Sequence, residues 1–172
     1  MKNGNAFVIF VLLIAQVLIW NYFNLSQFVL LTYLPVMVLC LPVRISTTAA
    51  LVGTFCVGLA VDFFTHGILG LTCSALLPVA FSRKFIISLV FGEELFARGE
   101  SISLRRQGLM KMNLGIVLST ALFLIVYIWV DGAGMRPFWF NALRFICSLT
   151  ASSIVSILIA SLLTDGENVR WK

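Results

Sequence analysis

The chain has 172 residues, of which 60% are hydrophobic and only 11% charged. Its mean hydropathy is +1.05. Soluble domains carry charge on about a quarter of their residues, so this composition excludes a soluble domain and points to an integral membrane protein. The length allows one compact helical domain and leaves no room for a separate catalytic domain. The net charge of +5 does not indicate a nucleic-acid partner, because the cations lie beside apolar runs, where positive charge reports membrane orientation.

In chain order, the first predicted span covers residues 6–23. It ends in Trp20-Asn21-Tyr22-Phe23, which fits an aromatic anchor at a membrane surface better than a cleavage site. It is therefore expected to be an uncleaved helix. The second span, residues 28–41, is interrupted by Pro35 and closed by Pro42. Fourteen helical residues reach only about 21 Å, so this span is expected to be short, kinked or extended by its flanks.

The third span, residues 45–64, carries Ala49, Gly53, Cys56 and Ala60 on one face, a stripe of small residues that lets another helix approach closely. Gly58 and Asp62 fall on roughly the opposite face. Two contact surfaces on one helix are the result. The fourth span, residues 68–81, contains Pro78 and is expected to stop at Ser82-Arg83-Lys84. A loop over 82–113 follows, in which the apolar run Phe85 to Val90 either continues the helix or lies in the interface, and Glu93, Glu94 and Glu100 mix with cations and apolar residues, as in a surface-lying segment or a docking site for a cytoplasmic partner. The fifth and sixth spans cover 114–130 and 140–163. Ser148, Ser152, Ser156 and Ala160 repeat every four residues along the sixth, a second small and weakly polar stripe.

Six spans place both termini on one side, together with ten of the twelve Lys and Arg residues. The positive-inside rule makes that side cytoplasmic. Asp62, His66, Asp131, Arg136 and Arg144 then form a charge cluster at the outer face. A carboxylate at the edge of hydrocarbon needs a partner. A pair between Asp62 and Arg144 or Arg136 is expected to tie the hairpin after the third span to the sixth.

Signs of chemistry are sparse. His66 is the sole histidine, and no base–nucleophile pairing stands out. There is no phosphate-binding glycine motif. Cys40, Cys56, Cys73 and Cys147 lie singly in apolar runs without metal-ligand spacing. No catalytic residue, cofactor or metal is expected, and the chain reads as a non-enzyme.

The run Gly53-Thr-Phe-Cys-Val-Gly58-Leu-Ala-Val-Asp62, followed after a short loop by Gly67-Ile-Leu-Gly70 and an apolar stretch, resembles the helix hairpin of the rod shape-determining MreD family. Chain length and helix order are similar as well. The resemblance implies an all-α bundle of six transmembrane helices, similar to the substrate-binding components of energy-coupling-factor transporters. It implies a non-catalytic scaffold of bacterial cell-wall elongation in the inner membrane, bound to an MreC-like single-span protein. Through that partner it implies links to the RodA glycosyltransferase and its transpeptidase, and indirectly to the MreB filament. The positions that match the family are Gly58, Asp62, Gly67 and Gly70, with Gly53 beside them. Two alternatives remain at this point. One is a vitamin-binding transporter component with Asp62, His66, Trp129, Trp139, Asn141 and Arg144 around an outward pocket. The other is a small lipid-handling enzyme that uses His66.

Overall fold

A computed structural model describes residues 3–22, 29–41, 45–65, 68–92, 109–132 and 137–168, with side chains described from 8 to 160 apart from 109. Six α-helices follow one another within these residues: α1 (Asn3–Tyr22), α2 (Leu34–Leu39), α3 (Thr47–Phe64), α4 (Leu71–Phe91), α5 (Leu109–Gly132) and α6 (Phe138–Asn168). Four helical stretches, Thr47–Phe64, Leu71–Phe91, Met110–Gly132 and Phe138–Ala160, are long and apolar enough to cross a membrane, and Val8–Tyr22 is a shorter apolar helix. The chain thus has the architecture of a multi-pass helical membrane protein.

Two stacked cores hold the bundle. One joins Leu34 and Val38 of α2 to Val61, Leu71, Leu76, Phe123, Leu124 and Ile128. The other joins Val36 and Leu39 of α2 to Ile86, Ile87, Phe91, Met112, Ile116 and Ala160. The short helix α2 therefore sits centrally, with α4, α5 and α6 packed about it. Gly115 permits part of this. A Cβ there would lie 3.4 Å from both Leu39 and Phe91 side-chain atoms.

The second span differs from expectation. Helix occupies only Leu34–Leu39, with Pro35 in its first turn, where a missing N–H costs nothing. The preceding stretch 29–33 is not helical, and its backbone polar groups alternate in strand fashion. Leu30 and Thr32 face α6. The Leu30 N–H donates to Ser148 Oγ (2.8 Å), the Thr32 N–H to Ser152 Oγ (3.1 Å), and Ser152 Oγ donates to the Leu30 carbonyl (3.0 Å). Leu31 and Tyr33 face α1. The Leu31 carbonyl accepts from Gln16 Nε2 (3.1 Å) and Trp20 Nε1 (2.6 Å), and the Tyr33 N–H donates to Gln16 Oε1 (3.2 Å).

Non-helical backbone survives at membrane depth only where protein satisfies its polar groups. Here side chains of two helices stand in for neighbouring strands. Extended residues at about 3.3 Å each and helical ones at 1.5 Å let 29–39 cover about 25 Å. This is close to the thickness of a hydrocarbon core. The unwound stretch thereby resolves the length deficit that a wholly helical span would have.

Helix α4 also departs from the expected limits. It runs through Pro78 and Ser82-Arg83-Lys84 to Phe91. Residues 82–84, expected to end the span, are thus helical, Phe85 to Val90 continue the helix, one of the two readings left open for them, and α5 begins at Leu109 rather than 114. Arg83 does not stop the helix because its charge is handled inside the protein. It is buried, with Nε donating to the Leu39 carbonyl (3.4 Å) and Nη2 to the Leu41 carbonyl. A cation at the C-terminal end of α2 also suits the helix dipole.

Candidate functional site

The Gly-x-x-x-Asp run of α3 meets the start of α4. Gly70 is the N-cap of α4, has φ +93°, and offers no side chain to the free N–H groups of the first turn. Asp62 supplies the missing acceptor from the neighbouring helix. Its Oδ2 accepts from the N–H groups of Gly70 (2.9 Å) and Cys73 (3.3 Å), and its Oδ1 from Thr72 (3.1 Å). A carboxylate against the positive end of a helix is favourable both as a cap and through the dipole. The side chain is almost completely enclosed, at 5% exposure.

One turn earlier, Gly58 makes this geometry possible. A Cβ at that position would come 2.7 Å from Cys73 Cα, inside any allowed contact. The glycine thus lets α4 approach until its N–H groups reach Asp62. Gly70 has a separate role: its φ lies in the left-handed region that other residues adopt only at a cost. The far end of the hairpin is fastened by Asn21 Nδ2, which donates to the Phe64 carbonyl (3.1 Å).

The expected pairing of Asp62 with Arg144 is therefore corrected. Asp62 spends its oxygens on backbone amides, and Arg144 Nη1 instead donates to Asp131 Oδ2 at 2.5 Å. That pair links the end of α5 to the start of α6, not the α3–α4 hairpin to α6. The physical reason is proximity along the hairpin, since α4 presents three N–H donors within eleven residues of Asp62. His66, Gly67 and Arg136 lie outside the described residues.

The opposite face of α3 has a different fate. Ala49, Gly53, Cys56 and Ala60 are all exposed, and nothing lies within 4 Å of a Cβ built on Gly53. Val52, Phe55 and Leu59 are exposed between them. One face of the helix is consumed by α4, and the small-residue face is left open. The serine stripe of α6 shows the reverse. Ser148, Ser152, Ser156 and Ala160 are fully buried, and the first two bind the unwound stretch.

Several residues with structural roles escaped the sequence reading. Trp20 turns its indole N–H inward to Leu31, and its ring lies 5.9 Å from that of Tyr127. Gln16 and Arg83 looked incidental yet are buried and committed. A polar residue inside an apolar span was the available signal for Gln16. Of the residues weighed as an outward vitamin pocket, His66 lies outside the described residues. Trp129 and Trp139 are 78% and 84% exposed, whereas Asp62 is enclosed by α4. Among the described residues, no group of three His, Cys, Asp or Glu side chains could hold a metal ion. Comparison of the chain with protein-family models, curated proteins and solved structures finds no match.

Proposed function

We propose that this chain is a non-catalytic membrane scaffold of the MreD type, which binds the single transmembrane helix of an MreC-like partner along the open face of α3. The observation that carries this reading is the division of α3 into two faces. Gly58 and Asp62 lock one face to α4, while Ala49, Gly53, Cys56 and Ala60 are exposed on the other. Small residues let helix backbones approach closely in lipid, where packing rather than the hydrophobic effect drives association. A rigidly mounted helix with an open small-residue face suits a scaffold.

In this reading the protein resides in the bacterial inner membrane with both termini cytoplasmic, because ten of twelve Lys and Arg residues then lie on the cytoplasmic side. The partner connects it to the RodA glycosyltransferase and the transpeptidase of cell-wall elongation, and indirectly to the MreB filament. Lipids contact the remaining apolar surface, and no nucleic acid is involved.

The test is affinity purification of the tagged chain at native expression level, with a photocrosslinking residue at position 53 and, as control, at exposed position 154 on α6. Mass spectrometry should recover an MreC-like protein crosslinked from 53 and not from 154. Recovery of a transporter ATPase pair with its coupling membrane protein would instead overturn the scaffold reading.

A further inference from the structure

Helix α4 carries two adjacent cations, and they point in different directions. Arg83 is buried and gives its guanidinium to the Leu39 and Leu41 carbonyls. Lys84 is exposed, and among the described residues it has no carboxylate partner. The surface around it is apolar. Phe81 lies one turn before it, Phe85 beside it and Leu89 just over one turn after it, and these are 71%, 69% and 64% exposed. On the other side of the same turns, Ile86, Ile87 and Phe91 enter the second core. The Lys84 face is thus the one that a multi-pass bundle turns to lipid. Ser88, half-buried, is four residues further on, which puts its Cβ about 5–6 Å from that of Lys84 on one face.

The packing of α3 on α4 sets the depth. A Cβ on Gly58 would meet Cys73 Cα at 2.7 Å, so these residues lie opposite one another in the hairpin. Lys84 is eleven residues beyond Cys73, and Thr47, the first residue of α3, is eleven before Gly58. Lys84 is therefore level with the end of the neighbouring span, about 16 Å along the axis from the Gly58–Cys73 contact. Its long stem carries the ammonium further toward the membrane surface, past Ser88.

We propose that Lys84 and Ser88 form a binding site for the phosphate of an anionic phospholipid, in the leaflet at the C-terminal end of α4, with Phe81 and Phe85 against its acyl chains. Charge and depth select this occupant. An unpaired ammonium beside hydrocarbon is unfavourable until an anion reaches it. A phospholipid brings a phosphate to this level already joined to apolar chains, whereas an acidic protein segment would have to leave water for an apolar flank. A headgroup with net negative charge leaves its phosphate free for the ammonium, and the serine hydroxyl adds a neutral donor to a charge-assisted one. A zwitterionic headgroup carries its own cation and gains less. The site does not depend on the scaffold reading.

Native mass spectrometry of the purified chain in detergent, titrated with phosphatidylglycerol or with phosphatidylcholine of the same acyl chains, tests this. The wild-type chain should hold phosphatidylglycerol more tightly. Lys84→Gln should weaken that binding about fivefold, the worth of one lysine at an anionic surface. Ser88→Ala should weaken it as well, and Lys84→Arg should retain it. Lys111→Gln, which removes an exposed lysine at the start of α5, should change nothing. Equal affinity for the two lipids, undiminished binding in Lys84→Gln or Ser88→Ala, or an equal loss in Lys111→Gln overturns the proposal. Should Lys84→Gln fail to fold, nitrogen–phosphorus dipolar recoupling in phosphatidylglycerol bilayers decides. A lysine Nζ signal dephased by lipid phosphorus in the wild-type chain and missing from Lys84→Arg supports the site, and the lack of such a signal overturns it.

Discussion

Replacing Asp62 by Asn probes the hairpin most directly. The carboxylate presents one oxygen to two N–H groups and the other to a third. An amide can keep its oxygen toward Gly70 and Cys73, but its NH2 then points at the Thr72 N–H, donor against donor. Leaving a buried donor unsatisfied costs about 1–3 kcal/mol. For a chain of this length each kcal/mol moves Tm by roughly 2–4 °C, so a fall of about 2–12 °C is expected.

Tryptophan fluorescence during heating of the chain in nanodiscs measures this fall, and a double-mutant cycle assigns its cause. Asp62→Asn combined with Arg144→Met should be additive, since the two side chains share no contact. Asp131→Asn combined with Arg144→Met should show coupling on the order of 1 kcal/mol, because those groups are paired. Strong coupling between positions 62 and 144, or an unchanged Tm for Asp62→Asn, would refute the capping account and restore a charge pair across the outer face.

Three further outcomes follow from the packing. Gly58→Ala forces the new methyl against Cys73 backbone at 2.7 Å and should destabilise by about 1–3 kcal/mol, whereas Gly53→Ala meets open space and should leave the Tm unchanged or higher; parallel thermal melts compare them. Ser152→Ala removes the partner of both the Thr32 N–H and the Leu30 carbonyl, so a loss of roughly 1–3 kcal/mol and faster amide exchange at Thr32 are expected by hydrogen-exchange mass spectrometry. Arg83→Met strips the Leu39 and Leu41 carbonyls of their guanidinium donor, and chemical denaturation in detergent should show it less stable than Lys84→Met, whose side chain is exposed.

Much of the candidate site was visible along the chain. Gly58, Asp62 and Gly70 stand out because glycine and a carboxylate are expensive inside an apolar helix and so imply a contact. What they contact was not visible. Spacing along a helix reports which residues share a face, but not whether the neighbour offers a guanidinium or a row of amides. The same limit applies to the two small-residue stripes. Both repeat at helical spacing, yet the α3 stripe is open and the α6 stripe is buried.

The sequence by itself determined the membrane character and, among the described residues, the all-helical class and the order of the helices, because apolar composition and run length depend only on residue type and order. Tertiary structure alone decided how the second span is built, where α4 ends and which groups satisfy each buried charge. An unwound backbone at 29–33 is stable only because Gln16 and Trp20 on one side, and Ser148 and Ser152 on the other, meet its polar groups. Those partners lie up to 122 residues away, and no local pattern encodes them. Arg83 can stay helical and buried for the same reason: two carbonyls from a distant turn accept its hydrogen bonds.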